Sequence, residues 1–168
     1  MHAFVIIFFC VLAAVVYSVI HNQATARVCL EYFTVAHPPI FPTTSPTLLA
    51  TGWGVIATWW VGLILGIGLA VAARAGSRPP RNWQTLLVPV AILMLIMACC
   101  AAIAGTIGWL AADAGLIDFS QFFRIPPERN AAFAAAAFAH NMSYASGFVG
   151  GLVVMWRVWR SRRSLGST

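Results

Sequence analysis

The chain has 168 residues, of which 61% are hydrophobic and 8% charged, and a formal charge of +6 at pH 7. A water-soluble domain carries about a quarter charged residues to cover its surface, so this composition excludes an ordinary soluble fold and points to an outer surface facing hydrocarbon. The positive charge does not mark a nucleic-acid partner: all ten basic residues are arginine, they flank apolar runs, and no basic, aromatic-studded module accompanies them.

Crossing a hydrocarbon core of ~30 Å takes roughly 20 apolar residues in a helix. The first candidate span, residues 3–20, is marginal in length. Ala24-Thr25-Ala26 after it has the small residues of a signal-peptidase site. The head Met1-His2-Ala3 lacks lysine and arginine, however, and the apolar run exceeds the usual length of about 7–15. Retention is the expectation; cleavage would leave three spans.

A long connection follows, residues 21–45. Its "RVCLEYFTV" is rich in β-branched and aromatic residues and too short to span, which predicts an extended strand or a segment lying in the interface. "HPPIFPTTSP" excludes regular helix and central strand. The second span, 48–73, begins after an N-cap and a first-turn proline, Ser45-Pro46, and Gly76 suits its C-terminal cap. The connection 74–85 is short and arginine-bearing. The third span, 86–112, tolerates Pro89 in its first turns, and Gly115 suits a cap after Asp113. In the connection 113–130, "DAGLIDFSQFFRIPPERN" sets large apolar side chains among polar ones and predicts a short helix flat on the membrane surface. The fourth span, 131–156, leads into a tail, 157–168.

Arginine placement orients the scheme. Arg74, Arg78, Arg81, Arg157, Arg160, Arg162 and Arg163 sit on one side, against Arg27, Arg124 and Arg129 on the other. The first side, with both termini, is expected to be cytoplasmic in a bacterial-type inner membrane. Trp53, Trp83, Trp109, Trp156 and Trp159 lie near span ends, where an aromatic belt belongs. All four acids (Glu31, Asp113, Asp118 and Glu128) then fall on the external face or at its boundary. The two external loops are expected to cap the bundle there. The fold class is therefore all-α: one integral membrane domain over 1–168, a four-transmembrane-helix bundle with two external loops.

Of Cys10, Cys29, Cys99 and Cys100, only Cys29 would reach an oxidising compartment, so no internal disulfide is expected. The other three read as small packing residues. His21, Glu31 and His37 share one loop, and with His140 beneath them they include ligand types that zinc accepts. Their spacing matches no metal motif, and no cofactor is strongly implied. A haem would want two axial side chains at similar depth, and only His140 lies well inside a span.

At 100° per residue, His140, Ser143, Tyr144, Gly147 and Gly151 share one face of the fourth span. Small residues admit a close neighbour, and polar groups bond across the contact. Thr51, Thr58, Gly62 and Gly66 share a face of the second span, and Gly62 to Gly66 is a GxxxG. These two faces are expected to pack on each other. Two roles compete for His140. It could be interhelical glue, or it could line a polar intramembrane site with Asn141, Ser143, Tyr144 and Thr58, since ionisable residues inside a membrane are functional candidates by default. With no catalytic motif, the leading expectation is an accessory or assembly subunit. It would act through helix contacts with other membrane proteins or itself in the lipid bilayer, and the sequence leans against an enzyme without deciding it. A transport component using the His140 site and an external-face enzyme or metal binder are the alternatives.

Overall fold

A computed structural model of the chain describes residues 2–162; the tail 163–168, with Arg163, lies outside the described residues. The elements in order are α1 (His2–Val28), α2 (Glu31–Thr34), α3 (Pro46–Ile56), α4 (Trp59–Arg74), α5 (Leu87–Asp113), α6 (Ser120–Phe123) and α7 (Asn130–Ser161), with a 3-10 turn before α5 and another before α7. Among the described residues there is no strand.

Three helical stretches are long and apolar enough to cross a membrane: His2–Val28, Pro46–Arg74 and Trp83–Asp113. The 32-residue α7 is long enough but less apolar, because His140, Asn141, Ser143, Tyr144 and Ser146 interrupt it. The apolar residues are arranged inside out. The buried residues of α5 are all small: Ala101, Ala104, Gly105, Gly108 and Ala112. Its large side chains, Val88, Ile92, Leu95, Ile103, Ile107 and Leu110, are exposed. On α1, Phe4, Phe8, Leu12, Val16 and Ile20 form an exposed stripe at every fourth residue. Water would penalise that arrangement, at roughly 25 cal/mol per Å² of apolar surface; hydrocarbon would not.

The four long segments run alternately between two ends. One end carries Glu31, Asp118 and Glu128, and the other carries the arginines at 74–81 and 157–162. The α1 helix lies along α3 and α4, α4 touches α7, and α7 lies along α5 in the most extensive contact of the molecule; α1 and α5 barely meet. The ring of four segments thus has three closed sides and one open side.

Glycine sets the two tight seams. A Cβ on Gly62 would lie 2.7 Å from the Val11 Cα, and one on Gly66 would lie 3.0 Å from the Cys10 Cβ. The GxxxG therefore packs on α1, not on α7 as the sequence led us to expect. On α7, Met97 of α5 fits at Gly147 and Leu93 at Gly150, while Leu65 of α4 reaches Gly151; His140 and Ser143 of the stripe meet α1 instead. Gly62 lies against Val11 and Ala14 of α1, and Gly66 against Ile7 and Cys10, so the close backbone approach is made there. The second stretch is also broken. The Thr58 hydroxyl bonds back to the Gly54 carbonyl at 2.6 Å, and its backbone leaves the helical region with φ −128°. Such back-bonding competes with the helix ladder and bends it.

The connections differ from expectation as well. "RVCLEYFTV" is not a strand: Arg27 and Val28 complete α1, and Glu31–Thr34 forms a helical turn. A lone strand would leave its backbone groups unpaired, whereas helix satisfies them locally. The flat helix expected in 113–130 is only the four residues of α6. It is closed by Arg124 in the left-handed region at φ 55°. There Leu116 and Phe122 are exposed, while Phe123 stacks inward at 4.7 Å from the Phe133 ring centroid. Trp53 does not join a belt: it is buried with His37 at 4.6 Å and Phe41 at 5.6 Å. Gly76 and Gly115 do take positive φ, at 79° and 72°.

Candidate functional site

His140 is buried on α7, about three turns in from the start of that helix at Asn130. The α1 helix continues eight residues past Ile20, which brings a polar stripe at i, i+4 spacing (Tyr17, His21, Thr25, with Ser18 and Asn22 beside it) into the bundle. His21 Nε2 lies 3.2 Å from His140 Nδ1, and His140 Nε2 lies 3.0 Å from Asn22 Oδ1. The Asn22 amide donates to the Ala50 carbonyl at 3.3 Å. Below them the Tyr17 hydroxyl meets Ser143 Oγ at 2.9 Å.

These contacts set a direction. Because the Asn22 NH₂ is engaged by Ala50, its oxygen must accept, so His140 carries its proton on Nε2. In a neutral ring Nδ1 then accepts, and His21 donates to it from Nε2. The Ala136 carbonyl, 3.2 Å from the same Nδ1, would suit the opposite tautomer, but that would set two acceptors against each other at Asn22. Neutral His21 is left with a lone pair on Nδ1, and no hydrogen bond among the described residues satisfies it. The chain of bonds runs His21 to His140 to Asn22 to Ala50 and has an acceptor at its open end.

Aromatic rings roof the pair. Tyr32, from the turn between α1 and α3, lies 4.5 Å from His140 centroid to centroid, with Phe33 at 6.1 Å. His37 Nδ1 donates to the Tyr32 carbonyl at 2.7 Å, so it braces the roof and does not reach the pair directly. Burial pushes the Tyr32 phenol up to about 12 and the Cys29 thiol up to about 11; both stay neutral. The roof is pinned by Glu31, whose carboxylate takes two bonds from Arg129 at 2.9 and 3.0 Å. Arg129 also donates to the Val28 carbonyl at 3.0 Å. That guanidinium holds the Glu31 carboxyl below the usual range.

A cavity of about 130 Å³ opens beside the imidazoles. Its head is polar, with Tyr17, His21, Asn22, His140, Ser143 and Tyr144. Its far end is apolar, with Leu65, Leu69, Val90, Leu93 and Val154. A groove of about 620 Å³ fills the open side of the ring between α1 and α5, floored by Ala135, Ala136 and Ala139 of α7. Tyr17, His21 and Met94 line both spaces, and neither is lined by an arginine, aspartate or glutamate.

The residues expected from sequence divide accordingly. His140, Ser143, Tyr144 and Thr58 all line the cavity. Asn141 does not: it is exposed and bonds back to the Ala137 carbonyl at 2.8 Å. Of the ligand set His21, Glu31, His37 and His140, the structure joins only the two of the helices, while Glu31 is taken by Arg129. Among the described residues no group of three or more side chains could hold a metal. Tyr17, Ser18 and Asn22 were not foreseen; the i, i+4 polar stripe would have revealed them had α1 been extended past Ile20.

At the other end a second buried polar centre was also not foreseen. Arg162 is fully buried. It donates to the carbonyls of Ala72 at 2.8 Å, Ala75 at 2.9 Å, Arg78 at 2.8 Å and Pro79 at 3.0 Å. Its guanidinium closes the C-terminus of α4, where free carbonyls and the helix dipole both favour a cation. No family model matches the chain, and neither a curated protein nor a solved structure matches it.

Proposed function

We propose that the chain is a four-span protein of a bacterial-type inner membrane, with both termini and the 74–85 connection cytoplasmic. It works by holding a small amphiphilic ligand, drawn from the bilayer, against the His21–His140 pair. The observation that carries this reading is the polar-headed cavity beside two touching imidazoles, which shares Tyr17, His21 and Met94 with the groove on the open side of the ring. A histidine serving only as glue between helices needs no space beside it, which favours ligand binding over the accessory-subunit reading. An ion pathway would want polar groups along its whole length, and here they gather at one end. The acids expected for an external enzyme are spent or turned away: Glu31 on Arg129, Asp118 on Ser120, with Asp113 and Glu128 exposed.

The test is to purify the full chain in native nanodiscs and identify what is extracted with it. A stoichiometric small amphiphile that is lost in His140→Leu supports the reading. A stoichiometric protein partner retained by the same variant, with no enriched amphiphile, supports the accessory subunit instead. Topology is tested separately by accessibility labelling of residues 74–83, which must be protected from the outside.

A further inference from the structure

Resting on that reading, we infer that the ligand is a neutral lipid with a single hydroxyl-bearing ring, of the phenol or hydroquinone class. Its hydroxyl donates to His21 Nδ1, and its apolar tail leaves along the groove between α1 and α5.

Three observations converge on this class. The first is charge. No cation lines the cavity or the groove, and Arg129 is engaged by Glu31. A phosphate or carboxylate head would therefore be desolvated without a partner. The head must be neutral. The second is direction. The bond chain from His21 through His140 and Asn22 to Ala50 ends in an acceptor at its open end. A hydroxyl completes the chain, whereas a carbonyl or an ether oxygen would set acceptor against acceptor. The third is size. An engineered cavity of about 150 Å³ takes one benzene ring, and the space here is about 130 Å³. One six-membered ring fits, and two fused rings do not. Tyr17, already stacked on His21 at 5.9 Å, offers such a ring an aromatic neighbour.

The groove accounts for the tail. Its walls at Ala98, Ala101, Ala102 and Gly105 on α5 are small, and they hold the groove open as far as Trp109. The tail can therefore stay in hydrocarbon while the head turns inward.

The experiment uses the full chain in nanodiscs of zwitterionic lipid and measures the affinity of four probes: a decyl-substituted hydroquinone, its dimethyl ether, a decyl naphthohydroquinone and decanol. The hydroquinone should bind at least tenfold tighter than each of the other three. His21→Phe, which keeps a ring and removes the acceptor, should erase the preference over the ether without weakening the ether itself. Ala102→Phe, in the groove wall, should weaken decyl-hydroquinone while leaving tail-less hydroquinone unchanged. Equal binding of hydroquinone and ether, or tighter binding of the fused ring, overturns the head-group assignment and leaves the site reading intact. No binding by any of the four overturns the site reading as well.

Discussion

The molecule buries two polar centres, one at each end, and they are built on opposite terms. Arg162 makes four bonds, all to backbone carbonyls, and neither the cavity nor the groove is lined by it. His21 and His140 bond mainly to side chains, keep one ring nitrogen unspent and border a cavity. A fully satisfied buried ion stabilises one arrangement of the chain; a partly satisfied neutral cluster beside empty space costs stability and is the kind of place where function resides. Burial of a polar group does not by itself separate the two. Whether its hydrogen bonding is complete does.

The largest effect should come from breaking the first centre. Arg162→Met keeps the bulk of the side chain and leaves four carbonyls without their donor, so a loss of about 3 kcal/mol or more is expected, read as a lower unfolding midpoint in detergent. Arg162→Lys should recover only part of it, because an ammonium cannot reproduce the planar fork. If Arg162→Met instead abolished ligand binding at unchanged stability, the contrast between the two ends would collapse.

Next is the seam that holds the site's α1 wall in place. Gly62→Leu places a side chain where the Val11 Cα stands 2.7 Å from a bare Cβ. Overpacking of this kind typically costs about 1–3 kcal/mol. The α1–α4 contact should open and carry His21 away from His140, and a cysteine pair introduced at positions 14 and 58 should lose crosslinking efficiency. The same pair at 58 and 143 reports on the contact expected from sequence and should form less readily in the wild type.

The third effect sharpens the comparison by its smallness. Polar contacts between membrane helices average ~0.6 kcal/mol, so His140→Leu should lower stability by about 1 kcal/mol while removing amphiphile binding. Asn141→Ala, one residue along on the exposed face, should change neither. A His140→Leu protein as unstable as Arg162→Met would make the imidazole a structural element after all.

Much of the architecture is legible in the residues, and the failures have physical causes. Long apolar runs, Ser45-Pro46, Gly76 and Gly115 locate helices and their ends because they report local backbone chemistry. His140 is conspicuous because it stands in an apolar run. Its partners are not: His21 and Asn22 lie where α1 turns polar, and a span ended by hydropathy at Ile20 puts them in a loop, cut off from Tyr17 at the end of the span. The GxxxG marks a close approach but does not name the helix that approaches. Arg162 looks like one more cytoplasmic charge, since nothing local tells a solvated arginine from one aimed at the carbonyls of a helix 90 residues away in sequence.

The smallest expected effect lies between the two centres, at the Glu31–Arg129 pair that pins the roof over the imidazoles. Its side chains are 27% and 37% exposed, so it resembles neither a fully buried ion nor a free surface charge, and roughly 0.5 kcal/mol is expected of it. Arg129 holds the Glu31 carboxyl below its ordinary value of about 4.5. A carboxyl with a depressed folded-state value binds fewer protons folded than unfolded, so its contribution is complete above about pH 4.5 and fades as pH falls through the lowered value. Asp118, held low by its bonds to Ser120, acts in the same direction. Glu31→Gln should remove that share of the acid sensitivity, and only at this end: hydrogen exchange of residues 29–36 should quicken in acid in the wild type and become pH-independent, beyond intrinsic exchange, in the variant. Protection around Arg162 should be the same in both, because a guanidinium bound to carbonyls has nothing to titrate in that range.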